Sequence, residues 1–179
     1  MLPIIFVLGP SGVGKSYLSE GLEQDYSFMR LPIDTDDKKK SFEANGFPSE
    51  WDKDVHKVDP AHLVSVVRGR LAVEHAGAVI SFPTVHVFTP EKLVEAAQLG
   101  VTPVVLWGKQ EDCVRAAEKR IKKKGMTFNL TRYMRLNGPT FEAYALPEYA
   151  DFRVEAFRPG GDRWPRGEWL AAIMSRAAG

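Results

Sequence analysis

Short apolar runs alternate along this chain with segments in which apolar residues recur every three or four positions. The apolar runs predict five buried strands, over 3–8, 28–33, 78–82, 101–107 and 152–157. The periodic segments predict helices from residue 15 onward and over 61–75, 90–98, 110–124 and 164–176. Residues 126–151 give no clear period and are expected to be irregular. Because alternating strands and helices need crossover connections, the pattern predicts an α/β fold with a five-stranded parallel sheet covered by helices on both faces.

Composition limits the classes of function that this fold can serve. The 179 residues suit one domain, 1–179, and the net charge of +1 gives no global basic field for nucleic acid or an anionic membrane. No apolar run approaches the ~20 residues that span a bilayer. The single cysteine, Cys113, excludes an internal disulfide and suits a reducing compartment. We therefore expect a cytoplasmic protein without nucleic-acid or membrane partners.

The first apolar run leads directly into the motif GPSGVGKS. This motif fits G-x-x-x-x-G-K-[ST] and lies between a predicted strand and a predicted helix, as a phosphate-binding loop requires. Backbone N–H groups of such a loop cradle phosphates, the lysine reaches the β- and γ-phosphates, and the serine hydroxyl binds Mg²⁺. The sequence thus predicts ATP as co-substrate and Mg²⁺ as cofactor, with the nucleotide held by Gly9, Pro10, Ser11, Gly12, Val13, Gly14, Lys15 and Ser16.

Two carboxylates follow the second predicted strand at Asp34 and Asp36. Residues two apart on extended chain point the same way, so both side chains can serve one site. One can assist Mg²⁺ through water while the other accepts a proton from a substrate hydroxyl. The alternative is an acidic helix cap without a catalytic role.

These two motifs, in a chain this short, resemble the small-molecule P-loop kinases, in particular the shikimate and gluconate kinases. The stretch Asp34-Thr35-Asp36-Asp37 is similar to the D-G-D-D of gluconate kinases. The resemblance implies a three-layer P-loop NTPase fold with a small lid, and a monomer or homodimer. It also implies that Asp34 lies on the metal side and that Asp36 is the base for the acceptor hydroxyl.

The chain departs from the pattern of shikimate kinases after the third predicted strand. Those enzymes have a run of glycines at a position where this chain has Ser81-Phe82-Pro83. The third strand also carries no acidic residue, so an ordinary Walker B aspartate is not visible. This absence favours a kinase over a motor or a switch protein.

The resemblance further implies a lid over about 125–137 and an acceptor-binding region over about 38–76. Arg120 would lie at the base of the lid and stack on adenine. Arg132 and Arg135 are three apart, so they share a face if this segment is helical, and both would reach the γ-phosphate on closure. A basic helix surface is the alternative for this arginine pair.

The acceptor is less well defined than the donor. Arg68 is a candidate contact for an anionic acceptor, with Arg70 and a solvated helix face as the alternatives. The leading hypothesis is an ATP-dependent phosphotransferase that acts on a hydroxyl of a sugar acid, a polyol or a similar small molecule. A nucleoside or nucleotide kinase, and a P-loop module that hydrolyses ATP slowly and signals to a partner, are the alternatives.

Overall fold

Five parallel strands form one sheet in the order β2-β3-β1-β4-β5. They are β1 (Ile4–Leu8), β2 (Phe28–Pro32), β3 (Gly77–Ser81), β4 (Val101–Trp107) and β5 (Arg153–Glu155). The computed structural model describes residues 2–33, 59–85 and 87–178. The predicted parallel sheet is confirmed, and its strand bounds differ from the predicted ones by a few residues at most. Asp34 and Asp36 lie outside the described residues, as does part of the predicted acceptor-binding region.

Helices cover both faces of the sheet. They are α1 (Lys15–Tyr26), α2 (Pro60–Arg68), α3 (Pro90–Gln98), α4 (Gln110–Lys123), α5 (Leu130–Ala145) and α6 (Arg166–Ala178), and a 3₁₀ helix spans Pro147–Phe152. Side chains of α2 and α3 pack on one face of the sheet. Side chains of α1, α4 and α6 pack on the other face. The two apolar layers confirm the α/β architecture. Among the described residues, no helix is long and apolar enough to cross a membrane.

The strand register brings three strand ends together at the carboxyl edge of the sheet. Val7 of β1 pairs with Ser81 of β3, and Leu8 pairs with Val105 of β4. The backbone N–H of Ile33, just beyond β2, donates to the carbonyl of Ser81 at 2.9 Å. The loop after β1 therefore emerges at the centre of this edge, which is where parallel α/β sheets bind ligands.

The helix predicted over 61–75 is shorter than expected. It ends at Arg68, because Gly69 caps it and weakens helix propagation. Separate turns follow, in which the N–H of Leu71 donates to Arg68 and the N–H of His75 donates to Ala72.

The expectation that 126–151 is irregular was wrong. Helix α5 occupies Leu130–Ala145, and the side chain of Asn129 caps it by accepting from the N–H of Arg132. The pair Gly138-Pro139 concealed this helix, since glycine and proline disfavour helix interiors. Gly138 lies inside α5.

Candidate active site

The phosphate loop connects β1 to the first turn of α1. Gly14 precedes the helix with φ +111°, and no side chain caps the helix N-terminus. Gly12 has φ +87°, and a Cβ at this position would lie 2.3 Å from the carbonyl oxygen of Cys113. This conformation and this close approach both require glycine. The uncapped N-terminus leaves backbone N–H groups and a partial positive charge directed at the loop.

Lys15 is buried, and its ammonium group binds the loop that it follows. The Nζ atom donates to the carbonyl of Gly9 at 2.9 Å, to that of Pro10 at 3.3 Å and to Oγ1 of Thr84 at 3.3 Å. A buried ammonium group at the start of a helix adds positive charge to the loop, which favours binding of an anion there. The structure thus places the predicted phosphate-binding lysine inside the loop.

A polar network joins Ser11 of the loop to helix α5. The Ser11 N–H donates to Oδ1 of Asn137 at 2.7 Å, and its carbonyl accepts from the Tyr133 hydroxyl at 2.6 Å. The Ser11 hydroxyl lies 2.9 Å from Oγ1 of Thr84, whose carbonyl accepts from Thr140. Burial raises the pKa of Tyr133, which keeps its hydroxyl a donor.

The sequence analysis missed this network because it missed the helix. Tyr133, Asn137 and Thr140 recur at the spacing of one helical face, which is the signal that could have found them. The network connects the segment that contains the predicted lid to the loop that contacts Lys15.

We expect Asn137→Ala to lower the free energy of unfolding by about 2 kcal/mol, because the N–H of Ser11 would lose its acceptor in a partly buried position. Asn137 is 2% exposed and also donates to the carbonyl of Tyr133 at 2.8 Å. Urea unfolding measures the loss. The control is Glu142→Ala, at an exposed position of the same helix. Equal stability of the two variants would contradict the contribution assigned to Asn137.

A cavity of about 410 Å³ opens beside the loop. Its volume falls in the range of small-molecule sites. Three cations line it, Lys15, Arg120 and Arg163, together with Ser16 and Thr84. Among the described residues that line this cavity none is acidic, so the site is arranged for an anionic ligand.

A second cavity, of about 310 Å³, lies between α4 and the start of α5. Arg120 and Arg132 both line it, with Ser11 and Leu136. These last two residues and Arg120 also line the first cavity, so the two cavities adjoin. Arg135 lines neither cavity. The geometry therefore separates Arg132 from Arg135.

Arg68 lies away from this site. Its guanidinium donates to the carbonyl of Leu99 at 2.5 Å, just before β4 begins. The start of β4 pairs with the start of β1, which is the opposite edge of the sheet from the phosphate loop. The structure therefore does not bring Arg68, the predicted substrate contact, to the phosphate loop.

The loop region offers hydroxyl ligands for Mg²⁺. Ser16 lies at the start of α1, and Ser81 ends β3 beside the loop. Ser81 is fully buried, and its Oγ has no hydrogen-bond partner among the described residues. An orphaned hydroxyl at this strand end fits a hydrated Mg²⁺, which keeps several waters and binds oxygen ligands. Within the described ranges, no cluster of three His, Cys, Asp or Glu residues offers another metal site.

Cys113 packs beneath the loop as an apolar residue. It is fully buried, and burial raises the pKa of its thiol to about 12. Because the ordinary value is 9.0, the folded thiol stays neutral at a pH where the unfolded thiol ionises.

We therefore expect the free energy of unfolding to decrease above pH 9. The contribution of Cys113 is fully present below pH 9, and about 1 kcal/mol of it is lost by pH 10. Urea unfolding at pH 8 and pH 10 measures this loss, with Cys113→Ala as the variant that lacks it. The same pH dependence in both proteins would contradict this explanation.

Comparison of the whole chain with solved structures shows what the fold is. The chain is similar to a gluconokinase from Sinorhizobium meliloti 1021, with a TM-score of 0.54, 18% identity, and coverage of 99% of this chain and 92% of that one. It is similar to the shikimate kinase of Aquifex aeolicus vf5, with a TM-score of 0.52, 16% identity, and coverage of 98% and 96%. A shikimate kinase from Acinetobacter baumannii in complex with shikimate gives a TM-score of 0.52, 14% identity, and coverage of 99% and 94%. The sequence matches no protein-family model and no curated protein.

The fold is thus that of the P-loop small-molecule kinases, and the resemblance stated from the sequence is confirmed at the level of the fold. The phosphate loop, its lysine and the basic cavity lie at the carboxyl edge of a five-stranded parallel sheet.

Proposed function

We propose that the protein is an ATP-dependent phosphotransferase that moves the γ-phosphoryl group to a hydroxyl of a small-molecule acceptor. One observation supports this proposal above the others. Lys15, buried and bonded to the carbonyls of its own loop, lines a cation-rich cavity at the start of a helix within a P-loop kinase fold. Sugar acids and polyols are the proposed acceptor class, and the cytoplasm is the proposed compartment.

The donor half of the site consists of the loop and two basic side chains. Backbone N–H groups at the start of α1 bind the β-phosphate, and Lys15 turns from its carbonyl partners to the β- and γ-phosphates. Arg120, which lines both cavities, contacts the nucleotide from the side of α4. Positioning and charge neutralisation supply most of the catalysis in phosphoryl transfer.

Ser16 and Asp34 would hold Mg²⁺, and Ser81 would bind one of its waters. When bound, Mg²⁺ neutralises charge on the β- and γ-phosphates. The chain contributes the oxygen ligands and excludes bulk water from the strand ends, where Ser81 and Val7 are fully buried.

The acceptor half rests on Asp36 as general base. The acceptor oxygen forms a new bond to the γ-phosphorus as the bond to the β,γ-bridging oxygen breaks. ADP leaves, and the proton of the hydroxyl passes to the Asp36 carboxylate. Arg132, which lines the second cavity as Arg120 does, neutralises the equatorial oxygens as the lid over 125–137 closes.

A panel assay tests the proposal. Purified protein with ATP and Mg²⁺ is incubated with sugar acids, polyols and nucleosides, and ADP release is followed for each. We expect release that depends on one acceptor class. Hydrolysis that is indifferent to every acceptor would contradict a kinase and support a P-loop module with slow hydrolysis. Release that depends on nucleosides alone would contradict the proposed acceptor class.

We expect Asp36→Asn to lower acceptor-dependent transfer by about 10²-fold, because asparagine cannot accept the proton of the hydroxyl. ATP affinity should stay within a few-fold of the wild-type value, since the loop and Lys15 are unchanged. Steady-state rates and ATP titration measure the two effects. Full activity of Asp36→Asn would show that Asp36 is not the base.

A further inference from the structure

Arg163 binds the phosphate loop from a distant part of the chain. It lies in the segment between β5 and α6, where residue 163 pairs with Phe157 through an isolated antiparallel bridge. Its Nη1 donates to the carbonyl of Val13 at 3.1 Å, and its Nη2 donates to the carbonyl of Gly12. The ring of Phe157 lies 5.3 Å from the guanidinium carbon. One planar group thus contacts two successive peptide units of the loop.

Both hydrogen bonds from Arg163 are made to carbonyl oxygens of the loop. N–H groups converge on an anion only when the carbonyls of the same peptides point elsewhere, and buried carbonyls need donors. The guanidinium fork has a rigid geometry, so two bonds to Gly12 and Val13 fix the orientation of both peptide planes. The conformation of the loop is therefore supported by a residue outside the motif.

Gly14 gives Arg163 the room that this contact needs. A Cβ at position 14 would lie 2.0 Å from Nη1 of Arg163 and 3.1 Å from Cη2 of Trp169. The glycine of the motif is usually explained by the approach of phosphate to the backbone. Here the same glycine also allows the approach of an arginine from the other side.

The charge of Arg163 also bears on the anion site. Burial lowers its pKa, and the positive charge of Arg120 lowers it further. The group stays protonated, because an arginine does not lose its proton in a protein. Among the described residues Arg163 forms no ion pair with a carboxylate, and it lines the same cavity as Lys15 and Arg120. A polyphosphate in this cavity would be attracted by the positive charges of Arg163 and Arg120.

We propose that Arg163 is a positioning residue for the triphosphate of the nucleotide. It orients the peptide planes of Gly12 and Val13 through their carbonyls and adds positive charge behind the loop. This inference rests on the proposed function, because it takes the loop as the site of a nucleoside triphosphate. The part of the nucleotide whose binding depends on Arg163 is the polyphosphate chain. The base and the ribose do not contribute to this effect.

Titration of four proteins with two ligands tests this role. The proteins are the wild type, Arg163→Ala, Arg163→Lys and the control Arg158→Ala, and the ligands are Mg·ATP and inorganic tripolyphosphate with Mg²⁺. Arg158 lies in the same segment and forms an ion pair with Glu168 at 3.0 Å instead of contacting the loop. We expect Arg163→Ala to lower the affinity for both ligands by the same factor, about tenfold or more. Arg163→Lys should recover only part of this loss, because lysine lacks the fork.

A second measurement reports the stability of the loop conformation without ligand. Hydrogen exchange of a peptide that spans residues 9–16 should be faster in Arg163→Ala without any ligand, and unchanged in Arg158→Ala. If Arg163→Ala does not fold, Arg163→Gln takes its place in both measurements, since glutamine keeps one donor and removes the charge.

Three results would overturn the inference. Loss of ATP affinity without loss of tripolyphosphate affinity would mean that Arg163 contacts the base or ribose. Unchanged affinity for both ligands, in a wild-type protein that binds both, would remove the positioning role and leave the proposed function intact. A wild-type protein that binds neither ligand would contradict the proposed function and this inference together.

Discussion

Replacing Lys15 by alanine is expected to lower acceptor-dependent phosphoryl transfer by about 10³-fold. The ammonium group is buried beside the carbonyls of Gly9 and Pro10, at the start of a helix that no side chain caps. Its loss removes the charge that follows the γ-phosphate as the bond to the β,γ-bridging oxygen breaks. ATP affinity should fall in the same variant, because the same charge also binds the ground state.

The control for Lys15→Ala is Lys92→Ala, which removes an exposed lysine near the start of α3. Rates of ADP release at several ATP concentrations separate the loss in kcat from the loss in affinity. Thermal unfolding of both variants shows whether the fold is retained. A Lys15→Ala protein that keeps more than a tenth of the wild-type rate would contradict the role of Lys15.

The second large effect concerns the two arginines of α5. We expect Arg132→Ala to lower the rate by about 10³-fold, as in P-loop enzymes that neutralise the transferred group with an arginine. Arg132 lines the cavity that Arg120 and Ser11 also line, whereas Arg135 lines neither cavity next to the loop. Arg135→Ala should therefore leave the rate within a few-fold of the wild-type value.

The arginine pair is its own matched control, since the two side chains lie three residues apart on one helix. Single-turnover rates at saturating ATP distinguish loss of transition-state stabilisation from weaker binding. Equal losses of rate in the two variants, or a larger loss in Arg135→Ala, would contradict the assignment of the catalytic role to Arg132.

The sequence predicted the sheet well because each strand is a short apolar run bounded by turn residues. The runs 3–8 and 101–107 are buried along most of their length, and such runs are typical of strands covered on both faces, as in a parallel sheet. The motif GPSGVGKS likewise predicted where the chain leaves the sheet, because glycines, a lysine and a serine in this order suit a single local structure.

Helix α5 could not be predicted in the same way. Gly138 and Pro139 reduce its intrinsic propensity, and tertiary contacts compensate for them. Tyr133 and Asn137 bond to Ser11, more than 120 residues away in sequence. Such contacts stabilise the helix, and the local signal that accompanies them is the helical spacing of Tyr133, Asn137 and Thr140.

Arg163 illustrates a second limit of sequence analysis. It contacts the carbonyl of Val13 across 150 positions of sequence, and nothing in the segment around it signals a phosphate site. The same limit applies to Ser81. A serine at the end of a strand becomes a candidate site residue only when the strand register places it beside Val7 and the loop. The motif predicts which backbone binds phosphate, and the fold determines which side chains support that backbone.

The fate of the γ-phosphoryl group tests the central claim most directly. ATP labelled in its γ-phosphate is incubated with the protein, Mg²⁺ and the acceptor that promotes ADP release, and the label is followed by phosphorus NMR. The account predicts that the label appears in a phosphomonoester of the acceptor, and that Lys15→Ala abolishes its appearance. Label found only in inorganic phosphate, with the acceptor unchanged, would contradict phosphoryl transfer at this site.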